Sequence, residues 1–247
     1  MKRHHQQILL GLGLLGLSIV LYVGLHALYP DRTGDIFFYT LLDIAFIPLS
    51  VVIVGLILNE VLVWRERRQK LERLDMLIGS FHSEVGTGLL GRLAGFDARI
   101  DEVRPGLRPT ATWTAEQFQA AVRSLPAMPH QVDARRSDLA ALRDFLLPRR
   151  PFILGLLENS SLLEHEQFTD LLWAVLHLAE ELQFRERLDG LPEHDLDHLG
   201  KDVERAYLLL IEAWLKNMRH LKEAYPYLFS LAVRTNPFDP EARVEIP

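Results

Sequence analysis

The sequence predicts an all-α protein: a two-helix transmembrane hairpin followed by a cytoplasmic α-helical, bundle-like domain. Three observations predict it. Within residues 8–63, Asp31, Asp35, Asp43 and Glu60 face only Arg32, although the whole 247-residue chain carries 27 basic and 33 acidic residues. Two apolar runs in that quarter are each long enough to cross a bilayer. Further on, apolar residues recur at helical 3/4 spacing, and no alternating run of β-branched residues stands out. The composition, 49% hydrophobic and 24% charged, excludes a disordered chain. Zero cysteines exclude a disulfide scaffold, and a net charge of −6 excludes a basic nucleic-acid binder.

The first run, Ile8 to Leu28, has no formal charge if His26 is neutral. About 20 helical residues span a hydrocarbon core of ~30 Å. Lys2 and Arg3 ahead of it imitate a secretory signal, but the apolar stretch is too long and Leu25-His26-Ala27 is a poor cleavage site. The second run begins at Ile36 and is expected to hold a helix to residue 63, with residues 29–35 as a short external loop. A soluble core hairpin is the competing reading, but core helices rarely stay apolar all round at this length. Lys2 and Arg3 at one end, and Arg65, Arg67, Arg68, Lys70 and Arg73 at the other, put both ends on the cytoplasmic side of a prokaryotic cell membrane. Tyr29 and Trp64 sit where interfacial aromatics belong. Fixing this topology is the expected role of the lipid-facing basic cluster, ahead of specific recognition of anionic lipid, because Glu66 and Glu72 dilute it.

No Pro or Gly stops the second helix between Trp64 and Leu74, so one helix should continue into the cytoplasm. Leu71, Leu74, Ile78, Phe81 and Val85 draw an apolar stripe along it. Gly86-Thr87-Gly88-Leu89-Leu90-Gly91 matches G-x-G-x-x-G, but a polar helix precedes it where a dinucleotide site needs a strand. A helix break or a close helix contact is the expected use. Prolines at 105, 109, 126, 129, 148 and 151 keep the middle helices short. Thr114 and Gln117 form a capping box for a helix to about Leu125, and Gln131 to Leu147 supplies another. Ser160 or Ser161 caps a longer helix with Phe168, Leu171, Leu172, Val175, Leu178, Ala179 and Leu182 on its apolar face. Leu199, Val203, Ala206, Leu210, Trp214, Met218 and Leu221 mark a further long helix, stopped near Pro226.

Candidate chemistry is sparse. Asp43 lies ~10 Å into the second span, and acids there mark ion paths or need a local partner. Pro48 frees the Ile44 carbonyl nearby. Tyr22 or His26 on the first helix is the expected local partner, and the structural reading is favoured over ion handling. Gly11, Gly13, Gly16, Ser18 and Gly24 allow close helix packing or a smooth pore lining. His194 and His198, with Asp202 extending the row, form a metal-like spacing. The segment departs from H-E-x-x-H, and Pro192 and Gly200 disturb a helix there, so an acidic helix start is the preferred reading. His177 with Glu180 and Glu181 is a weaker cluster still. P-loop, G-x-S-x-G and kinase signatures are absent, and no cofactor is expected. The apolar segment of residues 225–238, with Tyr225, Tyr227, Phe229 and Phe238, either docks inward, meets lipid or binds a partner.

The stretch Asp75-Met76-Leu77-Ile78-Gly79-Ser80-Phe81-His82-Ser83-Glu84-Val85-Gly86 and the stretch from Tyr225 to Phe238 resemble a widespread set of uncharacterised prokaryotic two-span membrane proteins. The resemblance implies the hairpin-plus-helical-domain layout and carries over no catalytic residue. The leading expectation is a non-enzymatic membrane anchor or sensor-like scaffold whose helical domain binds itself or another cytoplasmic protein. An oligomeric ion-handling protein and a membrane-tethered metal hydrolase are the alternatives.

Overall fold

The computed structural model describes residues 2–159, 162 and 165–245, and divides into two compact units, Met1–Arg67 and Arg68–Pro247. Among the described residues the architecture is all-helical, with a single isolated β-bridge between Asp97 and Val132 and no named strand.

In the first unit, α1 spans Lys2–Leu28 and α2 begins at Thr33. The connection is tighter than the seven-residue loop expected over 29–35. Tyr29 N–H donates to the Leu25 carbonyl at 3.0 Å and Arg32 N–H to the Tyr29 carbonyl at 3.1 Å, so helical bonding runs almost through the turn. Pro30 opens the 3-10 turn Pro30–Arg32, where its missing N–H costs nothing. Asp35 sits in the first turn of α2, where an acid complements the helix dipole. None of the described side chains from Gly11 to Trp64 is buried, and large apolar ones such as Val20, Phe37 and Leu56 are 66–71% exposed. Helix α2 runs unbroken from Thr33 to Phe81, with Pro48 inside it.

In the second unit, the apolar stripe turns inward. Leu74, Phe81 and Val85 are buried, whereas Leu71 is exposed. A π-helical turn, His82–Gly86, joins α2 to α3 (Thr87–Ala94). The G-x-G-x-x-G stretch is therefore helical, and its glycines serve close contacts. A Cβ on Gly86 would lie 2.6 Å from His82 Nδ1, and one on Gly88 would lie 3.1 Å from the Phe145 ring.

After α4 (Ile100–Val103), α5 (Ala115–Ser124) starts at the expected capping box. Gln117 N–H donates to Thr114 Oγ1 at 3.3 Å, and Thr114 N–H donates to Gln117 Oε1 at 2.7 Å. Thr114→Ala should lower stability by about 1 kcal/mol in thermal unfolding. No change would mean that the Trp113–Phe118 ring contact at 5.0 Å, rather than the cap, holds this end.

The helix expected over Gln131–Leu147 is much shorter: α6 covers Leu139–Leu146, with Asp138 accepting from Ala141 N–H at 2.9 Å. Buried Asp97 explains the difference. It accepts from Arg99 N–H at 2.9 Å and Gln131 N–H at 3.0 Å, and its Oδ2 lies 3.0 Å from His130 Nδ1. Ala98 N–H and Asp133 N–H complete the pairing through the Gln131 and Phe96 carbonyls. The backbone at 131–133 is thus committed across the chain and is unavailable to a helix.

Helix α7 covers Arg150–Leu157 and α8 covers Glu166–Phe184. Ser160 and Ser161 lie outside the described residues. The cap of α8 is His165, whose Nδ1 accepts from Phe168 N–H at 3.2 Å. Helix α9 (Glu193–Ala224) is the axis of the unit and packs against α8, α5, α3 and the C-terminal α10 (Pro226–Arg234). Helix α8 takes α6 and α7 on its other flanks. The expected apolar faces of α8 and α9 are buried, with Leu221 the half-buried exception. Pro192 does not disturb α9 but stands just before its first residue, and Gly200 lies within it.

Candidate functional site

Two helices each present a histidine and, one turn on, a carboxylate. His177 and Glu181 come from α8; His198 and Asp202 come from α9. The i,i+4 spacing aligns each pair along one helix face, and packing of α8 on α9 turns the two faces together. His198 Nε2 lies 3.3 Å from Asp202 Oδ2 and 3.6 Å from Glu181 Oε2. His177 Nε2 lies 3.6 Å from Asp202 Oδ1 and 3.9 Å from Glu181 Oε1. One ligating atom from each of His177, His198 and Asp202 fits within 4.8 Å of the others. The imidazoles are about half exposed, at 45% and 52%, whereas the Asp202 side chain is only 5% exposed. Asp202 Oδ2 is buried and accepts no hydrogen bond.

Arg185 fixes the surroundings. Its guanidinium donates to both oxygens of Asp195, at 3.0 and 2.6 Å, and to Glu181 Oε2 at 2.6 Å. This pairing holds the Glu181 and Asp195 carboxyls below the usual carboxylate range and pushes Arg185 up, with Asp195 its strongest partner. Asp197 is paired with Arg135 at 2.8 Å. The acidic segment before His198 is thus not merely solvated; two arginines clamp it.

The structure redistributes the residues singled out in the sequence. His198 and Asp202 come together, but His194 is exposed and outside the group. His177 takes that place from the neighbouring helix. The available signal was a repeated spacing, H-x-x-x-E at 177–181 and H-x-x-x-D at 198–202, whose meaning depends on the two helices being neighbours. In the N-terminal unit, Tyr22 Oη donates to Asp43 Oδ2 at 2.8 Å. His26 is exposed, and Pro48 lies within α2. A Cβ on Gly11, Gly13, Gly16 or Gly24 would meet nothing within 4 Å, so these glycines make no close helix contact in the single chain.

Arg65, Arg67, Arg68 and Arg73 are exposed along α2; Lys70 is in the same helix. Arg68 pairs with Glu72 at 3.1 Å. The C-terminal segment divides by face. Phe229 and Phe238 are buried, while Tyr225 and Tyr227 are 40% and 72% exposed.

Comparison with known proteins adds a family. Residues 70–234 match the family described as "Uncharacterized protein MJ1433, C-terminal helical domain", and residues 2–62 match "MJ1433, N-terminal helical domain". The chain belongs to the MJ1433 family. It is 40% identical over 239 residues to Uncharacterized protein MJ1433 of Methanocaldococcus jannaschii, covering 97% of this chain and 96% of that relative. No solved structure matches. In this chain, Tyr22 and Asp43 fall within the residues matched to the N-terminal domain, and His177, His198 and Asp202 within those matched to the C-terminal domain. Phe238 lies just past the matched C-terminal residues.

Proposed function

We propose that the protein is a two-span integral membrane protein, a non-enzymatic anchor whose helical domain is a cytoplasmic interaction module. The observation that carries this reading is the exposure of α1 and of α2 as far as Trp64. Both helices are long and apolar enough to cross a membrane, and no described side chain from Gly11 to Trp64 is buried within the chain. A soluble core helix hides such a face. The Tyr22–Asp43 hydrogen bond supports the same reading, because a polar group in hydrocarbon needs an internal partner. It also favours a structural role for Asp43. Orientation rests on the arginines from Arg65 to Arg73 against the lone Arg32 of the connection. The exposed flank of α10, with Tyr227, Leu228 and Leu231, supports a contact surface on the helical domain.

Alkaline carbonate extraction of membranes, followed by protease protection, tests this. The chain should stay in the membrane pellet, and the region after Arg68 should be cut only when the cytoplasmic face is open. Release into the carbonate supernatant, or cleavage from the outside, sinks the reading. Light scattering of the detergent-solubilised chain then separates self-association from a scaffold that recruits another protein.

A further inference from the structure

We propose that His177, His198 and Asp202, with Glu181 as an additional oxygen donor, bind one divalent transition-metal ion that ties α8 to α9. The geometry matches the coordination chemistry. Donors on a tetrahedral ion with bonds of ~2.0–2.2 Å lie about 3.3 Å apart. The imidazole–carboxylate separations are 3.3, 3.6, 3.6 and 3.9 Å, so small rotations of side chains already in place would close the shell. Arg185 occupies Glu181 Oε2, which leaves Oε1 as the oxygen available to an ion.

Burial supplies an independent observation. Asp202 is 5% exposed, its Oδ2 accepts no hydrogen bond, and that oxygen points at His198 Nε2. A buried carboxylate oxygen that accepts no hydrogen bond is costly, and a cation held between it and His198 Nε2 satisfies it directly. The half-exposed imidazoles give the ion an entry path and a low desolvation cost on binding. The donor set decides the class of ion. Two imidazoles with carboxylate oxygens, in a chain with no cysteine, suit Zn²⁺, Co²⁺, Mn²⁺ or Fe²⁺ rather than Cu⁺ or an iron–sulfur cluster. An all-oxygen Ca²⁺ or Mg²⁺ cage is not what these helices offer. The site lies wholly in the second unit, so it does not rest on the membrane reading.

The test uses the full chain, purified without a histidine tag and stripped with a chelator. It is titrated by calorimetry with ZnCl₂ alone and followed in the visible with CoCl₂ alone. One equivalent of Zn²⁺ per chain is expected, with Co²⁺ giving an absorption typical of mixed nitrogen and oxygen ligands. His177→Gln, His198→Gln and Asp202→Asn should each weaken Zn²⁺ binding about tenfold or more, and His194→Gln should leave it unchanged. Zn²⁺ should also raise the melting temperature of the parent chain but not of the double variant His177→Gln/His198→Gln. Both of those side chains are surface-exposed, so their loss leaves the metal-free fold intact and the comparison readable. Absence of Zn²⁺ binding by the parent, or binding that survives the double variant, overturns the proposal. Loss of binding on His194→Gln in place of His177→Gln overturns the assignment of ligands.

Discussion

Replacing Phe238 with alanine should destabilise the helical domain by about 3–5 kcal/mol, the range for removing a fully buried aromatic side chain. Phe238 is completely buried, although it lies beyond the last helix. Its ring meets the edge of Trp214 at 5.5 Å and 65° and leans on Tyr207 at 6.5 Å. A hook of hydrogen bonds delivers it there. The Asn236 side chain donates to the Leu107 carbonyl at 3.0 Å and accepts from Phe238 N–H at 2.9 Å. Arg108 pairs with Asp239 at 2.7 Å and closes the turn. Truncation would leave a cavity against the buried rings of Trp214 and Tyr207 on α9. In a domain of this size the loss corresponds to a melting temperature lower by on the order of 10 °C. Thermal unfolding of the full chain in detergent reads it. A loss under about 1 kcal/mol would show that the C-terminal segment is a detachable flap.

The second large effect is on pH dependence and comes from His82. This imidazole lies in the π-helical turn, 3% exposed, against the edge of Phe81 at 5.4 Å. Burial pushes it down from the usual 6.5 to about 3, and the Ala213 carbonyl offsets this only in part. Unfolding releases the ring to water, where it takes up a proton near 6.5. Above that pH both states are neutral and the fold loses nothing. Below it the unfolded chain binds a proton that the folded chain refuses, so stability falls at about 1.4 kcal/mol per pH unit. The loss continues to about pH 3, where the folded ring protonates as well. Over that window the contribution is roughly 5 kcal/mol at ~1.36 kcal/mol per unit. Denaturant unfolding from pH 7 to 4 should therefore show a steeper decline in the parent than in His82→Leu, whose side chain cannot titrate. The difference between the two slopes removes the carboxylates and the other histidines, which both chains share. Parallel slopes would mean that water reaches the ring. Gly86 belongs to the same arrangement, because a Cβ there would collide with His82 Nδ1 at 2.6 Å.

Several features were legible because they are written in neighbouring residues. Thr114 and Gln117 announced their capping box three positions apart. The buried faces of α8 and α9 followed from 3/4 spacing, and the unbroken helix through Trp64–Leu74 followed from the absence of Pro and Gly. The failures share one origin. The helix expected from Gln131 gave way because Asp97, more than thirty residues earlier, claims its backbone N–H. His194 has the same i,i+4 relation to His198 as Asp202 has, and nothing local distinguishes them. Only the position of α8 selects the 198–202 side of α9 and brings His177 to it.

The amino-acid order by itself therefore determined the helical class, the two apolar helices of membrane-spanning length at the N-terminus and the faces that form the core. Each follows from periodicity, propensity or charge within one or two turns, where the chain's own geometry does the sorting. The tertiary structure decided which histidine joins Asp202, that Phe238 turns inward while Tyr227 stays out, and that His82 is buried. Those outcomes depend on side chains brought together from distant parts of the chain. Their energy comes from packing and desolvation in a specific three-dimensional setting, which no local pattern encodes.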